Sequence, residues 1–289
     1  MEYKKNISKA FVILKNYPVL FLPDLIFYIL FSFSVYFFYK YSGLAGFLGS
    51  TILNTGTNIQ LFQTFLTTNF AQIIISVIIF FLITFVIGVS IYAIKYSLIK
   101  QILEKKLVSF KRELFLSQKY IYKIILIKIC IYILGILAIF IITVLSALFY
   151  VSLNTLQPEL ANPFTAAFAG ILIVVALLLI KLGFLLRYPI LFLEKDKSII
   201  EVLKKAFTLF YKKPVSIFLI WLTIIIVTFA FNFGQAIIDL IIYSINVQNI
   251  TIQTTLAILV VLLGIAIKLI QILWADVYLF LVYNSNGKS

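Results

Sequence analysis

The chain has 289 residues, of which 63% are hydrophobic and 12% charged, with a formal net charge of +14. The charged share is about half of the roughly 25% usual in soluble domains, and no stretch has the composition of a separate soluble domain. Histidine is absent and Cys130 is the sole cysteine, which excludes histidine-based acid–base and zinc chemistry, intrachain disulfides and cysteine-held metals, so neither a metal nor another cofactor is expected.

The N-terminal segment places Tyr3, Ile7, Ala10, Phe11 and Leu14 on one helical face and Lys4, Lys5 and Lys9 on the other. Pro18 then opens an apolar stretch, 19–39, too long for a signal-peptide core and read as an uncleaved first span. No charge lies between Lys40 and Lys95. The intervening loop, 41–69, is polar but uncharged, and residues 44–53 are candidates for touching or re-entering the membrane. A second span follows at 70–94. The basic region after it contains a partly amphipathic segment, 107–122, ahead of a third span at 124–153. The fourth span is 164–186.

The next segment repeats the first. Ile199, Leu203, Ala206, Phe207 and Phe210 recur at the spacing of the N-terminal helix, shifted by 196, with Lys204 and Lys205 opposite and Pro214 opening a fifth span at 215–243. Ser198 and Glu201 form a capping box at its start. Asn249, Ile250 and Thr251 make a glycosylation triplet before the sixth span, 254–283.

Each span meets the requirement of about 20 apolar residues. An ionised side chain at the bilayer centre costs roughly 2.5–3.5 kcal/mol on insertion scales, which accounts for the charge-free stretches. Lys and Arg crowd the N-terminal segment, the region 95–128 and the region 181–213, while the three alternate loops hold Lys40 alone. The positive-inside rule therefore predicts both termini in the cytoplasm of a multi-pass cell-membrane protein. The expected fold is all-α and forms one six-span domain. It is built from parallel two-span repeats, 1–94, 107–186 and 198–283, each led by a cytoplasmic amphipathic elbow helix. The elbow lysines Lys4, Lys5, Lys9, Lys204 and Lys205 are expected to meet anionic lipid headgroups at about 1 kcal/mol each. The basic charge follows the span ends, so nucleic acid is not an expected partner, whereas a protein partner at the elbows is an open alternative.

The run RYPILFLE at 187–194, followed by Ser198, Glu201, Ala206 and Phe207, resembles a signature of uncharacterised six-span membrane proteins. These are related to the membrane domain fused to bacterial glycerophosphodiester phosphodiesterases. The resemblance implies topology and no catalysis, because the fused enzymes act through a separate barrel that uses histidines.

Polar groups inside the spans are the functional candidates: Asp24 in the first, Asn232, Gln235 and Asp239 on one stripe of the fifth, and Lys268 and Asp276 in the sixth. Three readings compete. Asp24 and Asp276 pair structurally with Lys268, Arg187 or Lys181; or the polar groups converge on a cavity for a solute, ion or headgroup; or they carry protons or catalysis. Three carboxylates spread over both halves of the membrane make a poor active site, and neither a Walker loop nor a G-x-S-x-G motif occurs. The expected role is non-enzymatic: a permease-like component for a small solute or lipid. The alternatives are a membrane scaffold or accessory subunit and, last, a lipid-modifying enzyme embedded in the membrane.

Overall fold

A computed structural model describes residues 3–47, 59–194, 197–244 and 250–286. Every regular element among them is helical. Helix α1 (Tyr3–Asn16) is followed by a 3-10 turn, Pro18–Leu20, and by α2 (Phe21–Tyr41). Then come α3 (Ile59–Thr68), α4 (Phe70–Leu103), α5 (Phe110–Leu116), α6 (Gln118–Leu156) and α7 (Pro158–Gly183). The chain continues through α8 (Arg187–Leu193), α9 (Ile199–Lys212), α10 (Pro214–Ser244) and α11 (Ile250–Asn286).

Six segments are long and apolar enough to cross a bilayer: Pro18–Tyr41, Phe70–Leu103, Gln118–Thr155, Pro158–Leu193, Pro214–Ile242 and Thr254–Ser285. They are the six expected from sequence. Within the most apolar window of each, 11% to 22% of residues are buried in the protein. The rest of these apolar surfaces require lipid or another chain. The helices outrun the expected spans because charge ends an apolar stretch without ending a helix. On α4, Tyr96, Leu98, Ile99 and Ile102 are buried beyond Lys95.

The end of α4 shows how it stops. The Lys106 N–H donates to the Gln101 carbonyl and the Lys105 N–H to that of Ile102, with Lys105 at φ 55°. This is a Schellman closure with lysine where glycine is usual.

The chain divides into two compact units. The first comprises Met1–Tyr17, Ile99–Val108 and Tyr122–Ser289. In it α1 packs along α11, and α9 packs on α7, α8 and α10. The buried seam of α1 is Asn6, Ala10 and Leu14, rotated from the apolar face expected from sequence. Asn6 turns inward because Nδ2 donates to Ser285 Oγ at 3.2 Å, while Trp274 Nε1 donates to the Ile7 carbonyl at 3.4 Å. Trp274 stacks on Tyr278 with ring centroids 5.1 Å apart and meets Phe11 at 5.7 Å. Gly183 ends α7 where α9 comes close: a Cβ there would lie 3.3 Å from the Phe207 ring.

The second unit comprises Pro18–Leu98 and Ser109–Ile121. Here α2 and α4 run antiparallel, joined by Phe31 and Phe38 against Phe80 at 5.9 and 5.3 Å. Helix α5 is tied to α4 by buried Glu113, which accepts from Ser97 Oγ. Residues 48–53 of the candidate re-entrant stretch and Asn249 of the glycosylation triplet lie outside the described residues.

Candidate functional site

Antiparallel packing of α2 on α4 leaves a groove of about 770 Å3 along the second unit. Phe33, Phe37 and Phe38 form one wall, Ile75, Ile79, Phe80 and Ile83 the other, and Tyr41 with Gln72 stand at one end. The volume falls within the range of about 300–1,000 Å3 common to small-molecule sites. Its few hydroxyls do not make it polar. Ser34 Oγ donates to the Leu30 carbonyl at 2.9 Å, on its own helix. What remains is hydrocarbon, which selects for an apolar chain and offers nothing to a hydrated solute.

Beyond the Leu30 and Ile87 end of the groove, Phe27 rests against Gly88, where an added Cβ would stand 3.7 Å from the ring. One to two turns further, Lys95 Nζ lies 3.1 and 3.2 Å from the two Asp24 carboxylate oxygens. Lys95 is fully buried and Asp24 nearly so. The ammonium also faces the rings of Tyr92 and Tyr96 at 4.9 and 5.7 Å. Asp24 therefore pairs with Lys95, a residue assigned from sequence to the basic region, rather than with Lys268, Arg187 or Lys181. The pair clamps α2 to α4 and so fixes the spacing of the groove walls. A bidentate, buried pair with aromatic rings on the cation satisfies both charges in place. The apolar residues that continue past it, Tyr96, Leu98, Ile99 and Ile102, are the signal that would have placed Lys95 inside the fold.

A second polar site stands at the turn between α8 and α9. Glu194 Oε1 accepts from Lys205 Nζ and from the Tyr283 hydroxyl, and Lys197 Nζ lies 3.8 Å from the other oxygen. Burial pushes the Glu194 carboxyl up, but the hydrogen bonds from Lys205 and Tyr283 and the charges of Lys205 and Lys197 together hold it below the usual value. The acidic turn of the RYPILFLE run thus joins α8, α9 and α11. Arg187 closes the end of α7 by donating from Nη1 to the Phe184 carbonyl at 2.8 Å, its guanidinium 4.5 Å from the Tyr188 ring.

Helix α9 has three sides rather than two. Val202 and Ala206 are buried against the protein, while Ile200, Phe207 and Tyr211 are exposed, as is Lys204. Lys197, Lys204, Lys205, Thr208, Lys212 and Lys213 border a hollow of about 410 Å3 that also includes Glu201. The expected capping box is present: the Glu201 N–H donates to Ser198 Oγ at 3.3 Å, and the Ser198 N–H to Glu201 Oε2 at 2.8 Å. These bonds hold the Glu201 carboxyl low. Lys205 is half-buried and engaged by Glu194, Lys5 and Lys9 are exposed, and the Lys4 side chain lies outside the described residues.

The other candidates are strung along two helices. On α10, Asn232 is exposed, while Gln235 and Asp239 are half-buried; on α11, Lys268 is exposed and Asp276 half-buried. Gln235 leans over Gly264, where a Cβ would meet its Nε2 at 2.7 Å. Lys268 and Asp276 are eight residues apart on one helix, about 12 Å. The helices thus spread these groups along their length instead of gathering them. Among the described residues there is no group of histidine, cysteine or carboxylate side chains able to hold a metal. No family model, curated protein or solved structure matches the chain.

Proposed function

We propose that this is a non-enzymatic membrane protein that handles a lipid, taking an acyl chain into the groove between α2 and α4. The observation that carries the reading is the groove: it is large, lined by phenylalanine and isoleucine, and its walls are locked by the Asp24–Lys95 pair. Within the bilayer an acyl chain gains van der Waals packing against these rings, whereas a polar solute would lose its hydration there.

Helix α9 supports the same reading. Its exposed Ile200, Phe207 and Tyr211 suit the acyl boundary, and the neighbouring lysines suit anionic headgroups in the cell membrane. In this account α1 and α9 are cytoplasmic interfacial helices, each turning at proline into a span. The charge asymmetry puts both termini on that side. The order of a short helix followed by two spans, with α1, α5 and α9 as leaders, fits three parallel repeats. The scaffold alternative rests on the same exposed helices; the groove favours lipid.

The reading is tested with a photoactivatable diacyl phospholipid in native membranes. Adducts should concentrate on Phe33, Ile79 and Ile83 relative to Ile136 and Ile171, which are also exposed but lie outside the groove. Uniform labelling of all five positions would remove the case for a lipid site.

A further inference from the structure

The two ends of the α2–α4 groove differ in chemistry. Past the Leu30 and Ile87 end, Phe27 rests against Gly88 and the buried Asp24–Lys95 pair lies beyond. At the other end the Gln72 amide donates to the Tyr41 carbonyl, which sets the two residues at one level. Tyr36, Tyr39 and Tyr41 are exposed towards this end, Ser42 follows them, and Asn69 precedes Gln72. Tyrosines gathered with hydroxyl and amide groups mark a membrane–water interface. From Tyr41 to Leu30 is eleven residues of α2, roughly 16 Å. Half of a hydrocarbon core is about 15 Å, so the groove covers one leaflet and stops near the bilayer middle. Lys40 stands at the same interface. It is the only charge in residues 25–94, and the loops that alternate with the basic regions hold no other lysine or arginine. It is exposed, and it follows the wall residues Phe33 and Phe37 at i+7 and i+3, on their side of the helix.

We infer that the groove takes a phospholipid from the outer leaflet, its phosphate at Lys40 and its chain ends near Leu30 and Ile87, a step that rests on the lipid reading and the sidedness proposed with it. In that topology the Tyr41 end faces outward. A lone cation beside the mouth of a hydrocarbon groove matches the phosphate at the head of an acyl chain. A lipid of the cytoplasmic leaflet would have its chain ends where this groove stops. Its phosphate would lie beyond the Phe27 end, where Lys95 is already engaged by Asp24.

The probe is a photoactivatable diacyl phospholipid loaded into one leaflet of membranes holding the full-length protein. It enters the outer leaflet of intact cells in one sample and the cytoplasmic leaflet of inside-out vesicles in the other, with photolysis before lipid crosses. Outer loading should concentrate adducts on Phe33 and Ile79 relative to Ile136 and Ile171, and cytoplasmic loading should lose that concentration. Concentration from both faces, or from the cytoplasmic face alone, would overturn the inference and leave the lipid reading standing. Concentration from neither face would remove both. The head is tested separately, by competition between the phospholipid and its diacylglycerol counterpart for the purified protein. Lys40→Gln, at an exposed position, should keep the helical content and cut the phospholipid's advantage about fivefold. An undiminished advantage would overturn the placement of the phosphate.

Discussion

Two carboxylates with opposite surroundings set the behaviour at the level of single residues. Asp24 is enclosed with a fully buried lysine. Removing either partner breaks a buried, bidentate ion pair, so Asp24→Asn or Lys95→Met should each lower stability, by up to about 3–5 kcal/mol, in an unfolding titration in lipid–detergent micelles. The double variant should cost distinctly less than the two single effects combined. Additive losses would show that the two residues act separately. Glu194 sits outside the spans with its carboxyl held low. A lowered folded-state pKa contributes stability that is fully present above the ordinary value of 4.5 and disappears as pH falls through the lowered one. Protection factors of the amides at the start of α9, which are corrected for the intrinsic slowing of exchange in acid, should therefore fall on acidification below that ordinary value, and Glu194→Gln should remove this fall. Asp24 was legible in the sequence as a charge within a span; its partner was not, because Lys95 stands where a charge-based boundary places the membrane edge. Tyr283 was invisible as a partner of Glu194, since the residues meet only once α11 passes the α8–α9 turn.

Helix ends carry the local signals at the scale of the element. The capping box of α9 was readable because both its residues sit within four positions, and Pro214 marked the turn into α10 for the same reason. The C-terminal closure of α4 carried no such signal, since Lys105 occupies a left-handed position that sequence assigns to glycine. Lys105→Gly should relieve the unfavourable backbone by roughly 1 kcal/mol and raise stability accordingly. An unchanged or lowered midpoint would show that the lysine side chain offsets its conformation. Amphipathic periodicity located α1 and α9 but not their orientation about the axis. A single polar contact, Asn6 with Ser285, turns the α1 seam, and packing on α7 and α8 splits the apolar residues of α9 between protein and exposed sides. The first outcome depends on a residue 279 positions away and the second on two preceding helices, neither of which a local pattern contains.

For the whole molecule, hydropathy alone located all six spans, because a bilayer forbids charge over a known length. The groove was not legible: nothing in a run of phenylalanine and isoleucine distinguishes a wall from any lipid-facing surface. Sidedness is testable without knowing the ligand. In a Cys130→Ser background, a membrane-impermeant maleimide should label Ser244→Cys in intact cells and label Lys9→Cys and Lys106→Cys only after permeabilisation; the reverse pattern would invert the topology. The central claim is lipid capture between α2 and α4, and native mass spectrometry of protein released from its own bilayer addresses it most directly. The wild-type chain should retain a two-chain lipid, and Ser34→Phe with Ser76→Phe, which fills the groove, should release that lipid while keeping its helical content. Retention of the same lipid by both proteins, or by neither, would contradict the account.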